Sequence, residues 1–313
     1  MQNKNTAGHL LALITILLWG TTFISTKILL QGFKPIEILF FRFAMGFIAL
    51  WAVYPHRLKV RDRHHELLFI VAGFTGITLY YLFENIALTY TMAANVGVIV
   101  SVSPFFTAIF TYIFMRGDEK PRISFFAGFI ASMAGILLIN YNGTSNFKLN
   151  PLGDFLAFAA AIVWSLYSVI TRKIAVLGYN TIQTTRRTFA YGLIFMLPAM
   201  FIFGFNPDIS KFADTSYLFN IIFLGLGASA LCFVTWNFSV RILGAVKTSI
   251  YIYMIPAITV VTSFIVLHEK ITIMSAIGTV LTIAGLFISE SKLNFKKRGK
   301  RRRYAKREMR HND

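Results

Sequence analysis

One carboxylate lies well inside an apolar stretch of this chain: Glu84, in Tyr80-Tyr81-Leu82-Phe83-Glu84-Asn85-Ile86. A charge deep in a bilayer costs about 2.5–3.5 kcal/mol on insertion scales, so it is retained where it has a task. The chemistry open to it is uptake and release of a proton, or pairing with a cationic group. The alternative is a carboxylate tied permanently to a base so as to lock two helices. Arg42, in Phe40-Phe41-Arg42-Phe43, is the natural base. At 1.5 Å per helical residue it lies roughly 9 Å from the end of its segment, and Glu84 roughly 7.5 Å from the end of its own on the same side. Such an arginine can also hold a substrate carboxylate through two hydrogen bonds, or simply snorkel to the surface.

Around this pair stand aromatic and hydroxyl residues at helical spacing. Trp19, Thr22, Phe23 and Thr26 share one helix face, and Trp164, Tyr167, Ser168 and Thr171 repeat the same spacing. A tryptophan beside hydroxyls suits the wall of a cavity, although an aromatic stripe in an apolar helix also serves plain packing. Asn85, Asn95 and Asn237 add deep amides, and Ser101, Ser103, Tyr251 and Tyr253 add further polar groups. Cross-helix hydrogen bonding, worth about 0.6 kcal/mol on average in membranes, is the simpler role for the amides. Pro104 and Pro256 fall inside apolar segments, where each removes a backbone donor and makes a candidate gate.

The elements holding these residues are membrane helices. The chain has 313 residues, of which 56% are hydrophobic and 14% charged, with a mean hydropathy of +0.63. A soluble chain carries roughly 25% charged residues. Each crossing needs about 20 apolar residues. Ten such segments can be laid down, at 10–30, 36–54, 67–89, 93–114, 123–141, 152–173, 184–204, 218–238, 246–266 and 272–290. The first is a retained helix rather than a signal peptide, since no small-residue cleavage site follows it.

Loop charge sets the orientation. Arg57, Lys59, Arg61 and Arg63, then Arg116, Lys120 and Arg122, then Arg172, Lys173, Arg186 and Arg187 all fall on one side. That side is cytoplasmic by the positive-inside rule, which puts both termini inside. The net charge of +18 owes half its value to residues 292–313, with eleven Lys or Arg against two acids. Such a tail directly after an apolar segment is expected to lie on anionic lipid headgroups rather than on nucleic acid. Cys232 is the only cysteine, which excludes an intrachain disulfide. No metal site, phosphate-cradling loop or hydrolase elbow is legible, so neither a cofactor nor ATP-driven transport is expected.

The two halves echo one another. At an offset of 145, Trp19 answers Trp164, Thr26 answers Thr171, Lys27 answers Arg172 and Arg42 answers Arg187. At 152, Asn85 answers Asn237 and Pro104 answers Pro256, while Glu84 answers Trp236. Five segments per half invert one half relative to the other, which is the plan of an alternating-access carrier. The halves run over 1–141 and 152–290, joined by a linker at 142–151 and followed by the tail at 291–313. Gly128, Ser132 and Gly135, with Gly278 and Gly285, suit close helix packing and are also a candidate dimer face.

In this order of features the chain resembles an EamA-type member of the drug/metabolite transporter superfamily. The resemblance is carried by Trp19-Gly20, Phe41-Arg42-Phe43, Glu84 to Asn95, Pro104, Trp164, Pro256 and the His268-Glu269-Lys270 turn. It covers roughly residues 8–290, and Leu177-Gly178-Tyr179-Asn180 departs from it by having no proline to match Pro35. The resemblance implies an all-α membrane protein of ten helices that moves small organic metabolites such as amino acids, often outward, across a prokaryotic inner membrane. It would work as a monomer or homodimer, with proton or sodium coupling in place of a cofactor. Two rivals are an intramembrane lipid-processing enzyme, which would need clustered carboxylates or histidines, and a non-transporting scaffold that acts through its basic tail.

Overall fold

The computed structural model describes residues 2–91, 93–115, 123–140, 150–267 and 273–290. The linker from 142 to 149, the His268-Glu269-Lys270 turn and the basic tail lie outside the described residues. Every regular element described is helical. In chain order they are α1 (Gln2–Leu29), α2 (Pro35–Val53), α3 (Arg63–Ala72), a π-helical segment (Gly73–Leu79), α4 (Tyr80–Tyr90), α5 (Ala93–Val100), α6 (Ser103–Phe114), α7 (Ile123–Asn140) and α8 (Pro151–Val176). After these come α9 (Thr181–Ile202), a 3-10 turn (Ile209–Ala213), α10 (Thr215–Ile222), a second π-helical segment (Phe223–Leu231) and α11 (Cys232–Leu243). The described chain closes with α12 (Ala245–Ser249), a 3-10 turn (Ile250–Tyr253), α13 (Met254–Leu267) and α14 (Ile273–Glu290).

Six helical stretches are long and apolar enough to cross a membrane: 5–29, 35–53, 63–90, 96–114, 151–176 and 215–243. Two more, Ile123–Leu138 and Ala276–Ser289, are apolar but shorter. The remaining two expected segments differ for physical reasons. Helix α9 carries Arg186, Arg187 and several threonines, and the stretch from Ala245 is interrupted by the 3-10 turn before α13.

Hydrogen bonds between connections define the two ends of the bundle. At one end Arg186 donates to the carbonyls of Tyr54 and His56, and the Arg61 amide donates to the Tyr179 hydroxyl. Ser239 donates to the Gly8 carbonyl on that side too, which brings α1 and α11 together there. This is the basic end, holding Arg57, Lys59, Arg61, Arg63, Arg186, Arg187 and Arg241. At the opposite end Lys34 reaches the Gly204 carbonyl and Lys211 the Gly32 carbonyl.

Helices α7 and α14 pack backbone to backbone. A Cβ at Gly135 would sit 2.6 Å from the Gly278 carbonyl oxygen and 2.6 Å from the Thr282 amide nitrogen. The small-residue stripe read as a candidate dimer face is therefore occupied inside the chain. Gly135→Leu forces main chain away from main chain and is expected to cost about 1–3 kcal/mol. Gly97→Ala meets only the Phe23 ring at 3.9 Å and should be far milder. Thermal unfolding in detergent, followed by size exclusion, checks this: the Gly135 variant should melt well below wild type and the Gly97 variant close to it.

Candidate functional site

Two uninterrupted helices, α1 and α8, and several irregular ones carry the site. In the 63–90 stretch, the π-helical segment Gly73–Leu79 passes close to its neighbours: a Cβ at Gly73 would lie 2.7 Å from the Thr188 carbonyl, and Gly76 lies flat against the Tyr167 ring. The wider turn re-aims the following face, so Tyr80, Tyr81 and Glu84 point inward. The second π-helical segment does the same for Phe233 and Trp236. Helices α5 and α6 are separated by a turn at Ser101–Val102, and Pro104 sits in the first turn of α6. Pro256 likewise falls in the first turn of α13, after the 3-10 turn. Each proline thus starts a helix, where its missing N–H costs nothing, instead of kinking one midway.

These elements border a partly open cavity with about 380 Å³ of empty space counting its open side. Its walls are Trp19, Thr22 and Phe23 from α1, Tyr80, Tyr81 and Glu84 from α4, Trp164 from α8, Val100 from α5, and Ile252 and Ile255 from the Ile250–Tyr253 turn and α13. Trp19 and Trp164, the two residues that announce the sequence echo, meet edge to face with ring centroids 5.2 Å apart. Trp19 also lies 5.1 Å from Trp236, and Trp164 lies 4.8 Å from Tyr80. Such pairs contribute about 0.5–1.5 kcal/mol each beyond burial. The Trp19 indole N–H donates to the Ala228 carbonyl at 2.9 Å, whereas the Trp164 indole N–H has no partner.

Glu84 is 2% exposed, and one of its carboxyl oxygens has no hydrogen-bond partner. Arg42 is 1% exposed; its Nε donates to Ser229 Oγ at 3.0 Å, and both terminal nitrogens are unpartnered. The guanidinium carbon lies 4.3 Å from the Tyr81 ring centroid. Glu84 and Arg42 feel each other's charge but lie beyond ion-pair distance; the ion pair among the described residues is Arg187–Glu66 at 2.7 Å. The permanent Arg42–Glu84 lock envisaged from sequence is therefore absent, and the Tyr81 ring, itself part of the wall, carries Arg42 on one face.

The other sequence candidates separate. Phe23 lines the cavity. Asn85 donates to the Pro35 carbonyl at 3.3 Å and leaves its own oxygen unpartnered. Ser168 turns back to the Trp164 carbonyl at 3.0 Å, and Tyr251 bonds His9 Nδ1 at 2.7 Å, so neither faces this cavity. Asn237 belongs to a second cavity nearer the basic end. Asn95 lies on α5, with its side chain outside the described ones. Tyr80 and Tyr81 were missed as wall residues, although they stand at i−4 and i−3 from Glu84 and so share its helix face.

Lys27 and its counterpart Arg172 each reach the end of a neighbouring helix. Lys27 Nζ donates to the Leu88 carbonyl at 2.6 Å and the Thr91 carbonyl at 3.2 Å. Arg172 does the same for Val240 at 3.3 Å and Arg241 at 2.9 Å. Both cations satisfy the open carbonyls at a helix C-terminus, where the helix dipole also favours positive charge.

Residues 6–141 and 151–290 each match the EamA-like transporter family. The chain belongs to that family. It is 30% identical over 292 residues to an uncharacterized transporter of Archaeoglobus fulgidus, covering 92% of this chain and 99% of that one. It is 24% identical to a probable terminal-alkyne amino-acid exporter of Streptantibioticus cattleyicolor, covering 92% and 94%. Its fold is similar to that of a solved crystal structure with a TM-score of 0.73 at 20% identity, covering 91% of this chain and 96% of that one. The chain is thus a multi-pass membrane transporter of the drug/metabolite class.

A buried carboxylate that locks helices and one that is kept for exchange respond differently to removal of charge. Breaking a structural buried pair costs about 3–5 kcal/mol. With no such pair at Glu84, Glu84→Gln should unfold in detergent at or above the wild-type temperature. A drop of the size expected for a broken pair would return Glu84 to a structural role.

Proposed function

We propose that this protein exports small organic metabolites, amino acids among them, across the plasma membrane of a prokaryote by alternating access. The observation that carries this reading is Glu84: a carboxylate without an ion-pair partner, set in the wall of an aromatic cavity at the junction of the two halves. A carboxylate so placed exchanges a proton for a substrate ammonium group, or holds a sodium ion, as the driving gradient requires. The tryptophan and tyrosine faces suit an apolar side chain and a cationic head. Arg42 packs on the Tyr81 ring and does not line the cavity, so in this reading it balances the charge of the site from outside the wall. Amino acids enter the proposal because one similar protein is named as an exporter of an amino acid.

The architecture proposed is ten spans in two inverted halves of five, 1–141 and 152–290, with both termini in the cytoplasm. The matched devices support it: the Trp19–Trp164 contact, the carbonyl caps of Lys27 and Arg172, the two π-helical segments, and the helix breaks before Pro104 and Pro256. The basic end is assigned to the cytoplasm by the positive-inside rule. The tail then rests on anionic headgroups, and the chain acts as a monomer or homodimer without any cofactor beyond its coupling ion.

Purified protein in proteoliposomes loaded with labelled amino acids provides the test. An imposed pH gradient should drive transport by wild type, and Glu84→Gln should lose about tenfold or more of the gradient-driven component, equivalent to about 1.4 kcal/mol. Undiminished gradient-driven transport by the variant would remove Glu84 from coupling.

A further inference from the structure

A second, partly open cavity lies between α8, α9 and α11, closer to the basic end, with about 330 Å³ of empty space counting its open side. Its chemistry differs from that of the first. Thr171, Tyr179, Thr181, Thr184, Thr188 and Asn237 give it a wall of hydroxyl and amide groups, with no charged side chain. Thr184 folds back onto the Thr181 carbonyl at 2.9 Å, whereas no hydrogen bond engages Thr181 or Thr188 through its side chain among the described residues. The first-turn amides of α9 are already taken by the Asn180 side chain at 3.0 and 3.3 Å, so the pocket is not built for an anion. It suits water and the neutral polar parts of a solute.

Between the two cavities stands one hydrogen-bonded chain. The Tyr167 hydroxyl donates to Asn237 Oδ1 at 3.2 Å, and Asn237 Nδ2 donates to Thr185 Oγ1 at 2.9 Å. The Tyr167 ring lies 5.0 Å from Trp164, which walls the central cavity, while Asn237 walls the threonine-lined one. Tyr167 is 1% exposed, and Gly76 is pressed against its ring, so the barrier is tightly packed. The counterpart Asn85 has no such arrangement: its oxygen is unpartnered and its nitrogen reaches only the Pro35 carbonyl.

We propose that the threonine-lined cavity is the access site of the transport path at the basic end. It is a hydrated vestibule that receives the solute before the Tyr167–Asn237–Thr185 barrier admits it to the aromatic cavity. The proposal rests on the transporter reading, and it adds a second solute site and names the residues that separate the two. The barrier is closed in this structure, and opening it breaks two side-chain hydrogen bonds in α8, α9 and α11 without touching Glu84.

Thiol accessibility tests this without a known substrate. In a Cys232→Ala background, single cysteines replace Thr184 in the vestibule or Thr22 in the central cavity. Both are exposed to the membrane-impermeant anion 2-sulfonatoethyl methanethiosulfonate in vesicles of each orientation. Thr184→Cys should react from the basic end alone, and Thr22→Cys should react about tenfold more slowly from that end. Adding Asn237→Ala should raise the Thr22→Cys rate from the basic end several-fold, while Tyr167→Phe, which keeps the ring, should raise it less. Reaction of Thr184→Cys from the opposite end or from neither end overturns the vestibule. An unchanged Thr22→Cys rate in Asn237→Ala overturns the barrier. Labelling is read independently of transport, so failure of amino-acid efflux by the wild type would count against the proposed substrate and leave these outcomes standing.

Discussion

The site depends on a carboxylate held in an apolar bundle with no base close enough to neutralise it. Burial of a charge is tolerated when it is paired, and Glu84 is not. The surrounding structure compensates with a rigid aromatic frame from α1, α4, α8 and α11, in which Trp19, Trp164 and Trp236 fix one another. Arg42, packed on the Tyr81 ring, supplies a counter-charge that Glu84 feels from beyond ion-pair distance. A close pair would have made a stronger lock and a poorer exchange site.

The frame is nearly symmetric and its chemistry is not. The over-wide helical turns, the interrupted helices and the cationic caps of Lys27 and Arg172 recur in both halves. Against that background, Trp236 replaces Glu84, and the paired Arg187 replaces the unpaired Arg42. Arg187 is bonded by both nitrogens to Glu66, and Tyr191 adds its hydroxyl to the same carboxylate, at the basic end of α3 and α9. One of these charges is paired with Glu66, and the other has no ion-pair partner among the described residues.

Much of this was legible in the sequence. Trp19 and Trp164 betrayed the echo and proved to touch, and Glu84 stood out because a charge is rare in such a run. What stayed hidden was geometry that composition does not encode. Periodicity at 3.6 residues cannot reveal a π-helical segment, although the helical spacing to Glu84 did put Tyr80 and Tyr81 on its face. Depth along a helix placed Arg42 level with Glu84 but said nothing of the Tyr81 ring on which the guanidinium packs. Ser168 shared a face with Trp164, yet its hydroxyl spends itself on the helix backbone, as a buried serine in a helix commonly does. Pro104 and Pro256 read as lying inside apolar segments because the breaks before them, at Ser101–Val102 and at the 3-10 turn, carry no strong turn signal.

The most direct measurement is infrared difference spectroscopy of the membrane-embedded protein during a pH titration, comparing wild type with Glu84→Gln. A carboxyl group kept for exchange predicts a reversible band from a protonated carboxyl that is present in wild type and missing in the variant. Identical difference spectra for the two proteins would contradict it, because Glu84 would then hold one protonation state throughout and could not couple transport to a proton gradient.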